Sequence, residues 1–167
     1  MVLLFLNKPT LMSDFNNIIR IAEALLNEGV DFIIVGGIAV ILYGMPRVSE
    51  SLDILIKLNQ DNIEKIKNSL LKIFNDEDIK EISLDEIENY SVIRYISQNN
   101  EILDIIGNLG EMFNFDTVEF NYIEFDGNKF KVATPSSLIN MKSNTYREKD
   151  SLDLLFLKEL IKNKNAN

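Results

Sequence analysis

The amino-acid sequence predicts an α/β (α+β) fold, a sheet with helices packed on it. Three observations carry that expectation. The runs Phe32-Ile33-Ile34-Val35 and Leu52 to Leu58 have the length and branched side chains of buried strands, and they alternate with segments of helical period. Asn121 to Val132 alternates about an Asp126-Gly127 turn, as a hairpin does. Two helical stretches then close the chain. With 167 residues, 46% of them apolar, the chain is long enough to bury a core. It is expected to form a single domain over 1–167, with its core at about 29–133 and C-terminal helices at about 134–163.

Taken in order, Ser13 is a candidate N-cap for a first helix reaching about Glu28. Its Ile18, Ile21, Ala22, Leu25 and Leu26 recur at helical spacing, and Gly29 can end it. Asp31 to Val35 is a short apolar strand that runs into Gly36-Gly37 and a second helix, Ile38 to Tyr43, closed by Gly44. After the Pro46 turn comes the Leu52–Leu58 strand. Asn59 or Asp61 then caps a helix through Phe74, with Ile63, Ile66, Leu70 and Ile73 on one face. Ser83 and Glu86 form a capping box for a short helix ending near Asn89. Ser91 to Ser97 and Glu101 to Ile106 are strands. In the hairpin that follows, Glu124 faces Lys129 and Ile123 faces Phe130, so charge and apolarity both pair. Thr134 caps a helix with Pro135 at its first position, and a last helix spans about Glu148 to Lys162. The acidic stretch from Asp76 to Glu88 is expected to be a solvated face containing helix starts.

Composition excludes several kinds of chemistry. There is no Cys and no His, so zinc sites of the usual ligands, disulfides, thiol nucleophiles and Ser-His-Asp triads are ruled out. Any metal must be a hard cation on oxygen ligands: magnesium, manganese or calcium. A net charge of −9, from 17 basic and 26 acidic residues, argues against sequence-independent binding of duplex DNA. The apolar start, Met1 to Leu6, lacks the basic flank and length of a signal peptide or a spanning helix. The expected location is cytoplasmic, without membrane association.

Chemistry concentrates between Val35 and Ile56. A strand entering a helix through Gly36-Gly37 places bare N–H groups at a helix N-terminus, a geometry that receives phosphate; a tight turn needing positive φ is the competing explanation. Asp53 lies among Leu52, Ile54, Leu55 and Ile56, and Asp104 among Ile102, Leu103, Ile105 and Ile106. A carboxylate in such a strand costs several kcal/mol unless paired, hydrogen-bonded or metal-bound. Neighbouring strands would let the two converge on one cation. Otherwise each sits near a strand end facing water or an arginine. Arginine occurs only at positions 20, 47, 94 and 147. Arg47 is a candidate phosphate ligand or a structural partner of Asp53 or Glu50.

With these residues in place, the block resembles the nucleotidyltransferase superfamily, the DNA polymerase beta-like fold, and in particular its small prokaryotic members of the toxin–antitoxin and phage-defence type. Those carry strand, Gly-Gly, short helix, Arg-x-Thr and then Asp-x-Asp on the next strand. Gly36, Gly37, Gly44 and Arg47 match, Ser49 stands for Thr, Asp53 is the second carboxylate, and Asp104 matches the third, from a later strand. The tail, with Leu138-Ile139, Lys142, Arg147, Lys149-Asp150 and Asp153, is similar to the family's Lys, Arg-x-Lys-Asp-x-x-Asp ending; dipole complementation in the first helical turn is the plainer explanation of Asp150 and Asp153. The likeness covers roughly Gly29 to Leu160. It implies a mixed sheet with a C-terminal helical segment.

It also implies metal-dependent transfer of a nucleotidyl group from an NTP such as ATP to a hydroxyl on RNA, protein or a small molecule. Asp53 and Asp104 would hold Mg²⁺ or Mn²⁺, Gly36, Gly37 and Ser49 would cradle the triphosphate, and Arg47 and Lys142 would meet its charge. The departure is Ser51, which occupies the first catalytic Asp position on the same strand face as Asp53. A hydroxyl brings no charge to balance a second ion, so the site is expected to be weak or inactive. The alternative is a non-catalytic nucleotide- or partner-binding protein, for example a toxin–antitoxin component.

Overall fold

A computed structural model describes residues 9–143 and 148–166, with side chains from Asp14 onward apart from Lys149. The Met1–Leu6 run and Arg147, singled out in the sequence, lie outside the described residues. In chain order the elements are α1 (Pro9–Asn27), β1 (Phe32–Val35), α2 (Gly36–Leu42), β2 (Ser51–Ile56), α3 (Gln60–Ile73), a 3₁₀ turn (Glu77–Glu81), α4 (Leu84–Tyr90), β3 (Val92–Ile96) and β4 (Ile102–Ile106). There follow β5 (Asn108–Leu109), β6 (Phe113–Asn114), β7 (Phe120–Phe125), β8 (Asn128–Ala133), α5 (Pro135–Lys142) and α6 (Glu148–Asn165).

Six strands form a mixed sheet in the order β3-β4-β2-β1-β8-β7, and β5 with β6 makes a separate two-stranded ribbon. β2 runs antiparallel to β1 and parallel to β4, while β8 runs parallel to β1. The two outer pairs, β3–β4 and β7–β8, are antiparallel. The central strands are apolar on both faces because both are covered. Ile33, Ile34, Leu52, Ile54, Leu55 and Ile56 are fully buried, each contributing about 2 kcal/mol by the usual area rule. Phe15, Ile18, Ile19, Ile21, Ala22 and Leu25 of α1 and Ile63, Ile66 and Leu70 of α3 join them in one core. Among the described residues no helix is long and apolar enough to cross a membrane.

Local signals hold at most boundaries. Gly29 ends α1 at φ +73°, with Val30 N donating to Leu25 O at 3.1 Å. Asn59 caps α3 by accepting from Asn62 N, Ser83 caps α4, and Thr134 caps α5 ahead of Pro135. The β7–β8 register pairs Glu124 with Lys129 and Ile123 with Phe130. Among the boundaries that differ from expectation, three have a clear local cause. α1 begins at Pro9, so Ser13 lies inside the helix; proline suits a first turn because its missing N–H would have no partner there. α2 starts at Gly36 rather than Ile38. β2 stops at Ile56, because Asn59 already caps the next helix. The 3₁₀ turn and the β5–β6 ribbon carry no periodic signal long enough to be foreseen.

Candidate functional site

The antiparallel pairing of β1 and β2 sets Val35 opposite Asp53, so the chain leaves the sheet through the diglycine right beside that carboxylate. Gly36 has φ +67°, and a Cβ there would lie 2.0 Å from Asp53 Oδ2. A Cβ on Gly37 would lie 2.7 Å from Ser49 Oγ and 3.1 Å from Arg47 Nη2. Both glycines are therefore required by close approach, and Gly36 by its backbone angle as well. No side chain caps the start of α2.

Parallel pairing of β2 with β4 puts Asp53 opposite Asp104, so the two carboxylates from separate apolar strands do meet. β3, antiparallel to β4, sets Arg94 opposite Asp104 from the other side. Its Nε and Nη2 donate to Asp104 Oδ1 and Oδ2, both at 2.8 Å. Asp104 thus shares in both arrangements considered from the sequence: it neighbours Asp53 and it faces an arginine. Ser51 Oγ donates to Asp53 Oδ1 at 2.8 Å, which confirms that the two share a strand face, and Ser49 Oγ donates to the Ser51 carbonyl at 3.1 Å. Burial pushes the Asp53 carboxyl up to about 6; the Ser51 hydroxyl pulls it down, the charge and hydrogen bond of Asp104 push it up again, and Lys142 opposes.

The tail joins the same cluster. Lys142, buried at the end of α5, pairs with Asp150 and Asp153 of α6, each at 3.0 Å. Arg47 Nη1 donates to Asp153 Oδ2. This corrects two expectations. Asp153 is fully buried, and it and Asp150 bind cations from other elements instead of merely complementing the α6 dipole. Arg47 pairs with Asp153, not with Asp53 or Glu50. Arg94 was not singled out from the sequence. The Gln98-Asn99-Asn100 turn could have revealed it, since a tight connection there sets position 94 against position 104.

Among the described side chains the cluster holds four carboxylates (Asp53, Asp104, Asp150, Asp153) against three cations (Arg47, Arg94, Lys142). The Asp53 carboxyl is raised chiefly by its burial and further by the Asp104 carboxylate beside it. Asp53, Asp104 and the Ser51 hydroxyl fit one hard cation on oxygen ligands. They do not fit two: Ser51 is neutral, and among the described residues no three metal-ligating side chains group together. Arg94 already takes both Asp104 oxygens, but its side chain is 58% exposed, so giving one up costs little. A cavity of about 240 Å³ opens next to Ser49, between α1 and the β3–β4 turn.

A mixed sheet with a strand–diglycine–helix corner and two carboxylates side by side on neighbouring strands defines a nucleotidyltransferase-like protein. A crystal structure of an antigenic nucleotidyltransferase-like protein from Paracoccidioides brasiliensis superposes with a TM-score of 0.58 at 15% identity, over 89% of this chain and 77% of that one, and so shares its fold. A Thermotoga maritima protein whose nucleotidyltransferase assignment is itself provisional aligns over 95% of this chain and 91% of its own, at 17% identity and a TM-score of 0.45. The chain belongs to the family described as nucleotidyl transferase of unknown function (DUF2204), whose model matches residues 14–167. No curated protein matches it significantly.

Proposed function

We propose that the chain binds a nucleoside triphosphate together with one Mg²⁺ or Mn²⁺ ion, and that nucleotidyl transfer to a hydroxyl acceptor is slow in the native protein. The observation that carries this is the Asp53–Asp104 pair beside Gly36, two carboxylates side by side on neighbouring strands, with Ser51 hydrogen-bonded where a further carboxylate would be needed. Asp53 and Asp104 would hold the ion, which when bound neutralises phosphate charge. Gly36 and Gly37 let Asp53, Ser49 and Arg47 close on the strand-to-helix corner, where Ser49 offers a hydroxyl and Arg47 and Lys142, held by Asp150 and Asp153, bring cationic groups towards a phosphate. Ser51 can orient Asp53, but it cannot balance a second divalent ion. The chain's own groups thus bind and orient the triphosphate more completely than they activate an attacking hydroxyl.

Calorimetric titration with ATP and Mn²⁺, run beside transfer of α-phosphate label from ATP to total RNA and protein, tests this. Native chain is expected to bind and to transfer little, Asp53→Ala to lose binding at least about tenfold, and Ser51→Asp to gain transfer at least about tenfold, each tenfold being about 1.4 kcal/mol. No binding at millimolar ATP with metal present would overturn the nucleotide site. Fast transfer by the native chain, unchanged in Ser51→Asp, would overturn the impaired chemistry.

A further inference from the structure

We infer that Asp153 is a positioning residue for phosphate recognition: from α6 it holds Arg47 so that one guanidinium nitrogen is presented across Gly37. The inference rests on the nucleotide-binding function proposed above and extends the site to the C-terminal helix.

Arg47 stands on the irregular segment between α2 and β2, where no sheet ladder or helix fixes the chain. Its side chain is anchored at two points. Nε donates to the Val48 carbonyl at 3.2 Å, and Nη1 donates to Asp153 Oδ2, 106 residues away in sequence. The third nitrogen, Nη2, finds no acceptor among the described residues and packs where a Cβ on Gly37 would be 3.1 Å away. A guanidinium is rigid and planar, so fixing two edges aims the third. It is aimed at the diglycine corner, where Asp53 and Ser49 also converge.

Asp153 is built for holding, not for solvent. Its residue is fully buried, its Oδ2 takes both Arg47 and Lys142, and its Oδ1 is buried with no hydrogen-bond partner among the described residues. An interior carboxylate with an unsatisfied oxygen is costly unless its charge is used, and here that charge ties two cations from separate elements to one point. The sign of the effect separates positioning from simple electrostatics. Removing a negative charge near a phosphate site should tighten ATP binding if Asp153 only competes for the cations. It should weaken binding if Asp153 aims them.

The test is Asp153→Asn, near in shape and uncharged, titrated with ATP and Mg²⁺, and with Mn²⁺ alone followed by electron paramagnetic resonance. ATP affinity is expected to fall about tenfold while the affinity for Mn²⁺ alone stays within about twofold, because Asp53 and Asp104 are untouched. Arg47→Lys should show the same loss of ATP affinity, and the double variant no more than either single, since the two act as one unit. An Asp153→Asn protein that binds ATP as tightly as native, or more tightly, overturns the inference. Should that variant fail to fold, a crystal structure of the native chain with ATP and Mg²⁺ decides: Arg47 still on Asp153 with Nη2 on a phosphate oxygen supports it, and Arg47 swung away from Asp153 overturns it. A native chain that binds no ATP takes down the nucleotide site itself, a result distinct from ATP binding that ignores Asp153.

Discussion

Replacing Asp53 by Asn should stabilise the protein at neutral pH, which is the opposite of what removing a structural carboxylate does. In the folded chain the Asp53 carboxyl is raised from 3.8 to about 6, chiefly by burial and further by Asp104. The folded state therefore holds this proton more tightly than the unfolded state does. The group's contribution is fully favourable below about pH 4 and is lost as pH rises through about 6. At about 1.4 kcal/mol per pH unit the loss is at most about 3 kcal/mol. Asparagine keeps an acceptor for the Ser51 hydroxyl but gives up the attraction of Lys142, so the expected net gain at pH 7 is about 2 kcal/mol, or about 4–8 °C in Tm for a chain of this size. The assay is urea unfolding of native and variant chains from pH 3.5 to 8. Taking the difference between them removes the titration of the carboxylates that do not interact with Asp53. That difference should be near zero at pH 3.5 and grow between pH 4 and 7. Millimolar Mg²⁺ should raise the native Tm towards that of the variant and leave the variant unmoved, because only the native pair gains from a bound cation. A variant less stable than native at pH 7, or a difference that does not change with pH, would refute the claim that burial and Asp104 hold the Asp53 carboxyl above its ordinary value.

Two further expectations follow from the same geometry. Arg94→Ala should change stability by less than about 1 kcal/mol, because the guanidinium is largely exposed, yet it should raise Mn²⁺ affinity several-fold by freeing both Asp104 oxygens, read by an electron paramagnetic resonance titration. Gly36→Ala should cost about 2 kcal/mol or more in thermal unfolding and abolish nucleotide binding, since the new methyl would overlap the Asp53 carboxylate and the backbone angle is left-handed.

Much of this site was legible before folding because its signals are local. An Asp flanked by apolar strand residues is conspicuous in any context, and Asp53 and Asp104 are the two such positions that meet. Gly36 and Gly37 stood out as a strand-to-helix corner, and the Asn59, Ser83 and Thr134 caps were readable from residues within one turn. Other features were not local. Asp150 and Asp153 have the spacing of first-turn helix acids, which is how solvated helix starts also look; their burial against Lys142 and Arg47 depends on where α6 docks. Arg94 looks like an ordinary charge on an edge strand until the register of β3 on β4 sets it opposite Asp104. Ser13 is a good cap wherever a cap is needed, but a helix already begun at Pro9 needs none there.

Helix period, cap chemistry, glycine placement and the lone acids in apolar strands are properties of a few neighbouring residues, and the sequence alone determined them, together with the absence of a carboxylate at Ser51. The tertiary structure decided which charges meet. Asp53 is drawn beside Asp104 by the parallel β2–β4 register, Asp104 is claimed by Arg94 across β3–β4, and Arg47 is held by an acid 106 residues away. The physical reason is that a buried charge must be balanced by whatever the packing brings within reach, and that partner is chosen by strand register and helix docking, neither of which is encoded in local spacing.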